Sequence, residues 1–245
     1  MTKIALITGA NRGLGLETAR QLSRSGAKAI IGARDPSRGE RTADELRGEG
    51  LDAESVALDV DSAASVAAAA REVEERHGRL DMLVNNAGIL PEATEETDGP
   101  VDLDMFRKTF ETNVFGAVAV VQGFLPLLRD SDSGRIVNVS STMGSLSDQG
   151  DPESPYYGVV VPANQSSKAA LNGITVALAK LLEDTPSKVN SICPGWVQTD
   201  LGGPDNRAAA PLTAEQAAPI IVEMATIPDD GPNGRFVDSA GSVAW

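Results

Sequence analysis

Apolar and polar positions along this chain follow two alternating periods. The run Ile4-Ala5-Leu6-Ile7 contains no polar residue and reads as a strand buried on both faces. Leu16-Glu17-Thr18-Ala19-Arg20-Gln21-Leu22 then places apolar residues at helical spacing. The pair recurs. Ala27 to Ala33 predicts a second strand, and Asp35-Pro36 starts a helix with Asp as its cap and Pro at its first position. Ser55 to Leu58 predicts a third strand, followed by an Ala-rich helix from Ser62 to Arg76 that Gly78 stops. Leu80 to Val84 predicts a fourth strand, and a long helical pattern covers about Asp102 to Leu128. Gly134 to Val139, Val189 to Cys193 and Arg235 to Val237 complete the strands. Ala163 to Leu182 and Thr213 to Ala225 complete the helices, the latter opening on the capping box Thr213-x-x-Gln216.

Three stretches lack a period. Residues 91–100 are acidic and turn-rich and read as a solvated loop with no fixed carboxylate spacing for a metal. Thr142 to Pro162 carries three prolines. Thr199 to Pro211, with Gly202-Gly203-Pro204, reads as a lid over a site or as a disordered surface loop. The alternation predicts an α/β fold: a doubly wound parallel sheet with helices on both faces, in one domain over residues 1–245.

Composition narrows the classes. Hydrophobic residues make up 41% and aromatics only 4%, so the core is aliphatic and Ala-rich. The formal charge of −14 argues against nucleic acid or an anionic membrane as partner, although a local nucleotide site remains compatible with it. Cys193 is the single cysteine and His77 the single histidine, which excludes an internal disulfide and a His-pair metal site. His77 reads as the cationic end of a helix and Cys193 as a small buried hydrophobe. No uninterrupted apolar run nears the roughly 18 residues of a membrane span. Met1-Thr2-Lys3 leads straight into a strand without a signal-peptide pattern, so a cytoplasmic protein is expected.

The chemistry concentrates at strand ends. Gly9, Gly13 and Gly15 lie between the first strand and the first helix, the layout that presents backbone N–H groups to a phosphate. Arg34 and Arg38 follow the second strand, where acidic residues bind a ribose 2′-hydroxyl and Arg accommodates a 2′-phosphate. Asp35 is a better helix cap than ribose ligand because Pro36 follows it, so NADP is favoured over NAD. Arg12 adds charge toward the same phosphate. Asp59 ends the third strand, within reach of an adenine amino group. Asn86-Ala87-Gly88 closes the fourth strand, and Pro194-Gly195-Trp196-Val197-Gln198-Thr199 closes the sixth. Trp196 is placed on the pocket wall or over the cofactor, and Met143 and Leu146 on the substrate wall or in loop packing.

The segments TGANRGLG (8–15), GARDPSRG (32–39), LDV (58–60), NNAG (85–88), TNVFG (112–116), IVNVSS (136–141), SSKAALN (166–172), NSICPGWVQTD (190–200) and DDGPNGRFV (229–237) span nearly the whole chain. Together they resemble the short-chain dehydrogenase/reductase family, and within it the carbonyl-reductase-like branch. The resemblance implies a Rossmann-like domain with a seven-stranded parallel sheet that transfers hydride between NADP(H) and a small carbonyl or alcohol. It implies cofactor contacts at Gly9, Asn11, Arg12, Gly13, Leu14 and Gly15. Further contacts are implied at Arg34, Arg38, Asp59, Val60, Asn86, Ala87 and Gly88, and beyond these at Lys168, Pro194, Gly195, Val197 and Thr199. Ser141 matches the serine that hydrogen-bonds the substrate oxygen, Lys168 the lysine that holds the nicotinamide ribose, and Asn113 the asparagine that supports a proton-relay water. The long helices at 102–128 and 163–182 resemble those that pair in many members, so a homodimer, a homotetramer and a monomer all stay open.

The family's tyrosine belongs four residues before the lysine, on the same helix face. Residue 164 is Asn. An amide orients or polarises a carbonyl but has no proton to give near pH 7. General acid catalysis is worth ~10²–10⁴ in rate. Three explanations compete: another donor substitutes (Tyr156, Tyr157 or a water held by Asn164, Lys168 and Asn113), the reaction is redox-neutral, or the protein is a catalytically weak NADP binder.

Overall fold

The computed structural model of the chain describes residues 1–96, 99 and 101–245. Thr97, Asp98 and Pro100, part of the stretch read as a solvated loop, lie outside the described residues. The strands are β1 (Ile4–Thr8), β2 (Lys28–Ala33), β3 (Ala53–Ala57), β4 (Met82–Asn85), β5 (Arg135–Val139), β6 (Lys188–Ile192), β7 (Phe236–Asp238) and β8 (Gly241–Ser242). The helices are α1 (Gly13–Arg24), α2 (Pro36–Gly48), α3 (Ala63–His77), α4 (Leu103–Phe110), α5 (Ala117–Arg129), α6 (Leu146–Gly150), α7 (Pro162–Leu181), α8 (Gly203–Ala209) and α9 (Ala214–Ala225).

One sheet runs in the order β3-β2-β1-β4-β5-β6-β7-β8. All pairings are parallel except β7 with β8. The seven strands β1 to β7 form the expected parallel sheet, and among the described residues the two of β8 fold back antiparallel on β7, too short a segment to carry a periodic signal. β1 pairs with β2 on one side and β4 on the other, Ile7 lying opposite Ile31 and Val84. The chain therefore winds outward in both directions from β1, and a crevice opens at the C-terminal ends of β1 and β4, where such sheets bind ligands.

Alternation along β1 divides the core. Ala5 and Ile7 pack on one face with Leu22 of α1, Leu46 of α2 and Ile221 of α9. Ile4 and Leu6 pack on the other with Val66 and Val73 of α3 and Val120, Phe124 and Leu128 of α5. Each buried side chain of this kind is worth roughly 1.5–3 kcal/mol, so a one-residue slip of β1 would exchange the two sets.

The caps follow the residues that predicted them. Asp35 accepts the amides of Ser37 (2.9 Å) and Arg38 (3.3 Å). Ser62 accepts Ser65 N–H, Gly78 ends α3 at φ +70°, and Thr213 and Gln216 form the reciprocal box. His77 ends α3 with its ring 2.6 Å from Glu54, so its helix-end reading gains a carboxylate partner from β3.

Three expectations change. The pattern over 102–128 is not one regular helix: a π-helical turn at Glu111–Gly116 separates α4 from α5. The change is one of backbone hydrogen-bond spacing, which hydrophobic periodicity does not read directly. This 103–129 rod is long and apolar enough to cross a membrane by length and composition, which a search for uninterrupted apolar runs misses. Half of its apolar window is buried inside the fold, and α5 packs on the sheet as a core helix. The segment after β6 is ordered, with a short 3₁₀ turn at Asp200–Gly202 followed by α8, so the disordered-loop alternative fails.

Candidate active site

One half of the crevice is built on the turn between β1 and α1. Arg12 occupies the N-cap of α1 in extended conformation without a side-chain cap. Among the described residues, the first-turn amides of Gly13, Leu14 and Gly15 have no protein acceptor, and only Leu16 N–H turns back, to Arg12 C=O at 3.2 Å. Three orphan donors at a helix N-terminus are an arrangement that can accept an anion. The glycines are sterically required. A Cβ on Gly15 would lie 2.5 Å from Asn86 Nδ2 and 2.9 Å from both Ala10 Cα and Gly9 O. Asn86 Nδ2 donates to Thr8 C=O at 2.8 Å, while Thr8 Oγ1 accepts the amides of Asn86 (3.0 Å) and Ala87 (2.9 Å). These bonds join the ends of β1 and β4 where the crevice begins.

Arg34 is exposed at the end of β2 with no ion pair among the described residues. Arg38 pairs with Asp35 at 3.4 Å. The Ser37 hydroxyl, with backbone amides and Arg38 adding to it, holds the Asp35 carboxyl below its usual range. Asp35 thus serves the helix end, as its position before Pro36 predicts. Asp59 follows β3, its amide donating to Ser65 Oγ and its carboxylate accepting Asp61 N–H. Val60 packs against the π turn so closely that a Cβ on Gly116 would lie 2.9 Å from its Cγ2. Pro194, Gly195, Val197 and Thr199 follow β6; Gly195 has φ +80°, and Thr199 caps the 3₁₀ turn at 200–202. Arg12 meets a partner that sequence reasoning missed: Asp200 accepts from Arg12 at 3.0 Å and from Arg207 at 2.8 Å. A cavity of about 510 Å³ is lined by Gln198, Asp200, Gly203, Pro204, Arg207 and Ala208, beside the turn rather than at Ser141.

The chemical half lies at the ends of β4 and β5 against α7. Lys168 Nζ donates to Val139 C=O at 2.8 Å, its one hydrogen bond among the described residues. Burial pushes its ammonium down to about 8, against a small opposing effect of Cys193. A Cβ on Gly88 would lie 3.3 Å from Asn113 Oδ1 and 3.8 Å from Lys168 Nζ, so this glycine sits where the two groups converge. Ser141 Oγ accepts Met143 N–H at 3.1 Å and keeps its own proton for another acceptor. Gly144, which no local signal singled out, packs its backbone on α7: a Cβ there would lie 2.6 Å from the Lys168 carbonyl carbon.

Asn113 is buried in the π turn. Its Oδ1 accepts Ile89 N–H (2.8 Å), and its Nδ2 donates to Ile89 C=O (3.0 Å) and Ser167 Oγ (3.2 Å). Asn164 is 7% exposed. Neither of its amide atoms has a hydrogen-bond partner among the described residues, yet neither is sealed from solvent. Tyr156 and Tyr157 lie on a turn before α7, Tyr157 half-exposed, and neither hydroxyl bonds Ser141, Asn164 or Lys168. Glu92 corrects the solvated-loop reading of its segment. Pro91 is buried, 91–93 forms a 3₁₀ turn, and the Glu92 carboxylate accepts the amides of Ala163 (2.9 Å) and Asn164 (2.8 Å).

Known proteins match this chain over nearly its whole length. The sequence profile of the short chain dehydrogenase family matches residues 3–210. The short-chain dehydrogenase anuI of Penicillium roqueforti is 38% identical over 250 residues, covering 98% of this chain and 95% of that protein. Carbonyl reductase [NADPH] 1 of Sus scrofa is 31% identical over 282 residues, covering 100% and 94%. The structure of NADPH-bound carbonyl reductase from chicken fatty liver superposes with a TM-score of 0.83 at 28% identity, covering 100% of this chain and 99% of that one. With a glycine turn of orphan amides at the sheet's switch point and relatives matched end to end, the chain belongs to the short-chain dehydrogenase/reductase family, in its carbonyl-reductase-like part.

Proposed function

We propose that this protein is an NADP(H)-dependent oxidoreductase acting on a small carbonyl or alcohol, as a single cytoplasmic domain over residues 1–245, with Asn164 in the place of the proton-donating phenol. The observation that carries the reading is the set of unpartnered amides at Gly13, Leu14 and Gly15, opening on the same crevice as Lys168 and Asn113. These amides fit a pyrophosphate, and the uncommitted Arg34 fits a 2′-phosphate. The cofactor, when bound, supplies or accepts hydride. Ser141 donates a hydrogen bond from its hydroxyl to the substrate oxygen, and Lys168 orients the ribose through the two ammonium hydrogens that Val139 leaves open. Asn164 offers an N–H to polarise a carbonyl but no transferable proton. The proton then comes from a water held by Asn164, Lys168 and Asn113, or from Tyr156 or Tyr157 after the loop closes.

The accessible amide of Asn164 also supports a second reading. With Ser141 it forms a small oxyanion-type site suited to redox-neutral dehydration, isomerisation or ring closure. A third reading is a catalytically weak NADP binder. NADPH binding followed by calorimetry, with NADPH oxidation measured across a panel of ketones, tests all three. Binding with turnover supports the oxidoreductase. Binding with substrate conversion at constant NADPH supports the redox-neutral enzyme, and binding alone the third. The absence of binding defeats the shared premise.

A further inference from the structure

We propose that Glu92 is a positioning residue that closes a ring of hydrogen bonds fixing Asn164 relative to Asn113; the inference rests on the oxidoreductase reading above. Helix α7 has no side-chain acceptor at its N-cap, Val161, although its Gln165 accepts the Val161 N–H at 3.2 Å. Pro162, at the first position, has no N–H. The two remaining first-turn amides, those of Ala163 and Asn164, go one to each oxygen of the Glu92 carboxylate, at 2.9 and 2.8 Å. An N-cap Asp or Ser would ordinarily supply such an acceptor locally. Here it arrives from a segment 71 residues earlier in the chain. A carboxylate suits that helix end by dipole and by charge-assisted bonding.

The same segment is tied to the site by a second path. Ile89 N–H donates to Asn113 Oδ1, and Ile89 C=O accepts from Asn113 Nδ2. Asn113 donates to Ser167 Oγ, and Ser167 Oγ donates to Asn164 C=O at 2.8 Å. Asn164 N–H returns to Glu92, which the 3₁₀ turn at 91–93 holds three residues from Ile89. The loop after β4, the π turn and the first turn of α7 are thus linked in one closed circuit. Two of its members, Asn113 and Asn164, are the groups assigned to the proton. A simple helix cap would stabilise α7 equally well from position 161, so remote capping matters only if the circuit holds the loop and α7 in register.

The experiment compares wild type, Glu92→Ala, and Glu92→Ala with Val161→Asp, which returns a local cap to α7 without restoring the circuit. Readouts are melting temperature, NADPH affinity, kcat and KM for the carbonyl turned over fastest by wild type, and hydrogen exchange. Glu92→Ala is expected to melt several degrees lower, bind NADPH within about twofold of wild type, and lose at least about tenfold in kcat, as misplacement of the order of 1 Å can. The double variant is expected to regain the melting temperature and the protection of 162–166, but neither kcat nor the protection of 86–93 and 110–116. Unchanged kcat in a folded Glu92→Ala protein overturns the proposal, and so does recovery of kcat together with stability in the double variant. If wild type turns over no carbonyl, the oxidoreductase reading fails separately and exchange decides the circuit. Loss of protection at 86–93 and 110–116 in Glu92→Ala then supports it, and loss confined to 162–166 overturns it.

Discussion

Replacing Asn164 by Tyr restores a phenol four residues before Lys168, on the face of α7 that meets the end of β5. The amide it replaces has no partner to lose among the described residues. A phenol begins near pKa 10, and an ammonium nearby lowers that value. Below about 8, Lys168 carries that charge. General acid catalysis by such a group is worth ~10²–10⁴, or roughly 3–5 kcal/mol of barrier. Against this stands the larger ring at a position 7% exposed, where overpacking costs about 1–3 kcal/mol. That cost falls on folding stability, so it lowers the melting temperature without cancelling the gain in rate. Carbonyl reduction, followed as NADPH oxidation over the ketone panel, is therefore expected to rise by about 100-fold or more, with NADPH affinity unchanged. A folded variant that binds NADPH like wild type and gains nothing would refute the reasoning, because the lost phenol would not be what limits the reaction.

Arg34→Ala is expected to weaken NADP binding by at least tenfold while barely changing NAD binding; equal losses would defeat the 2′-phosphate assignment. Asp200→Asn removes two exposed ion pairs, each worth at most about 1 kcal/mol, and with them the Asp200 contact to Arg12. NADP should bind up to about fivefold tighter at low salt, an advantage that high salt erases; weaker binding would count against Arg12 as a shared partner. Lys168 is held near 8 in the fold against 10.5 unfolded, so the penalty of its buried charge is full below about 8 and vanishes as pH rises to 10.5. Wild type should gain stability relative to Lys168→Met across that window, and its rate should fall on the alkaline side of about 8. Parallel melting curves against pH, or a rate with no alkaline break, would contradict this.

What the sequence settled by itself is what neighbouring residues encode. Fully apolar runs, helical spacing, the caps at Asp35, Ser62 and Thr213 and the glycines of the first turn act within a few residues of one another, so they specify strands, helix starts and the orphan amides directly. The place of Asn164 one helical turn before Lys168 was legible for the same reason. Only the tertiary structure decided the contacts that cross between strand ends. Glu92 reaches α7, Asp200 reaches Arg12 across 188 residues, and Gly144 lies against Lys168 because the parallel crossovers bring distant loops to one edge of the sheet. The π turn that buries Asn113 stayed hidden because it is defined by backbone hydrogen-bond spacing, which no residue type in 111–116 marks. Periodicity records which face a residue takes, whereas pairing between loops depends on the strand order, β3-β2-β1-β4-β5, that no short window contains.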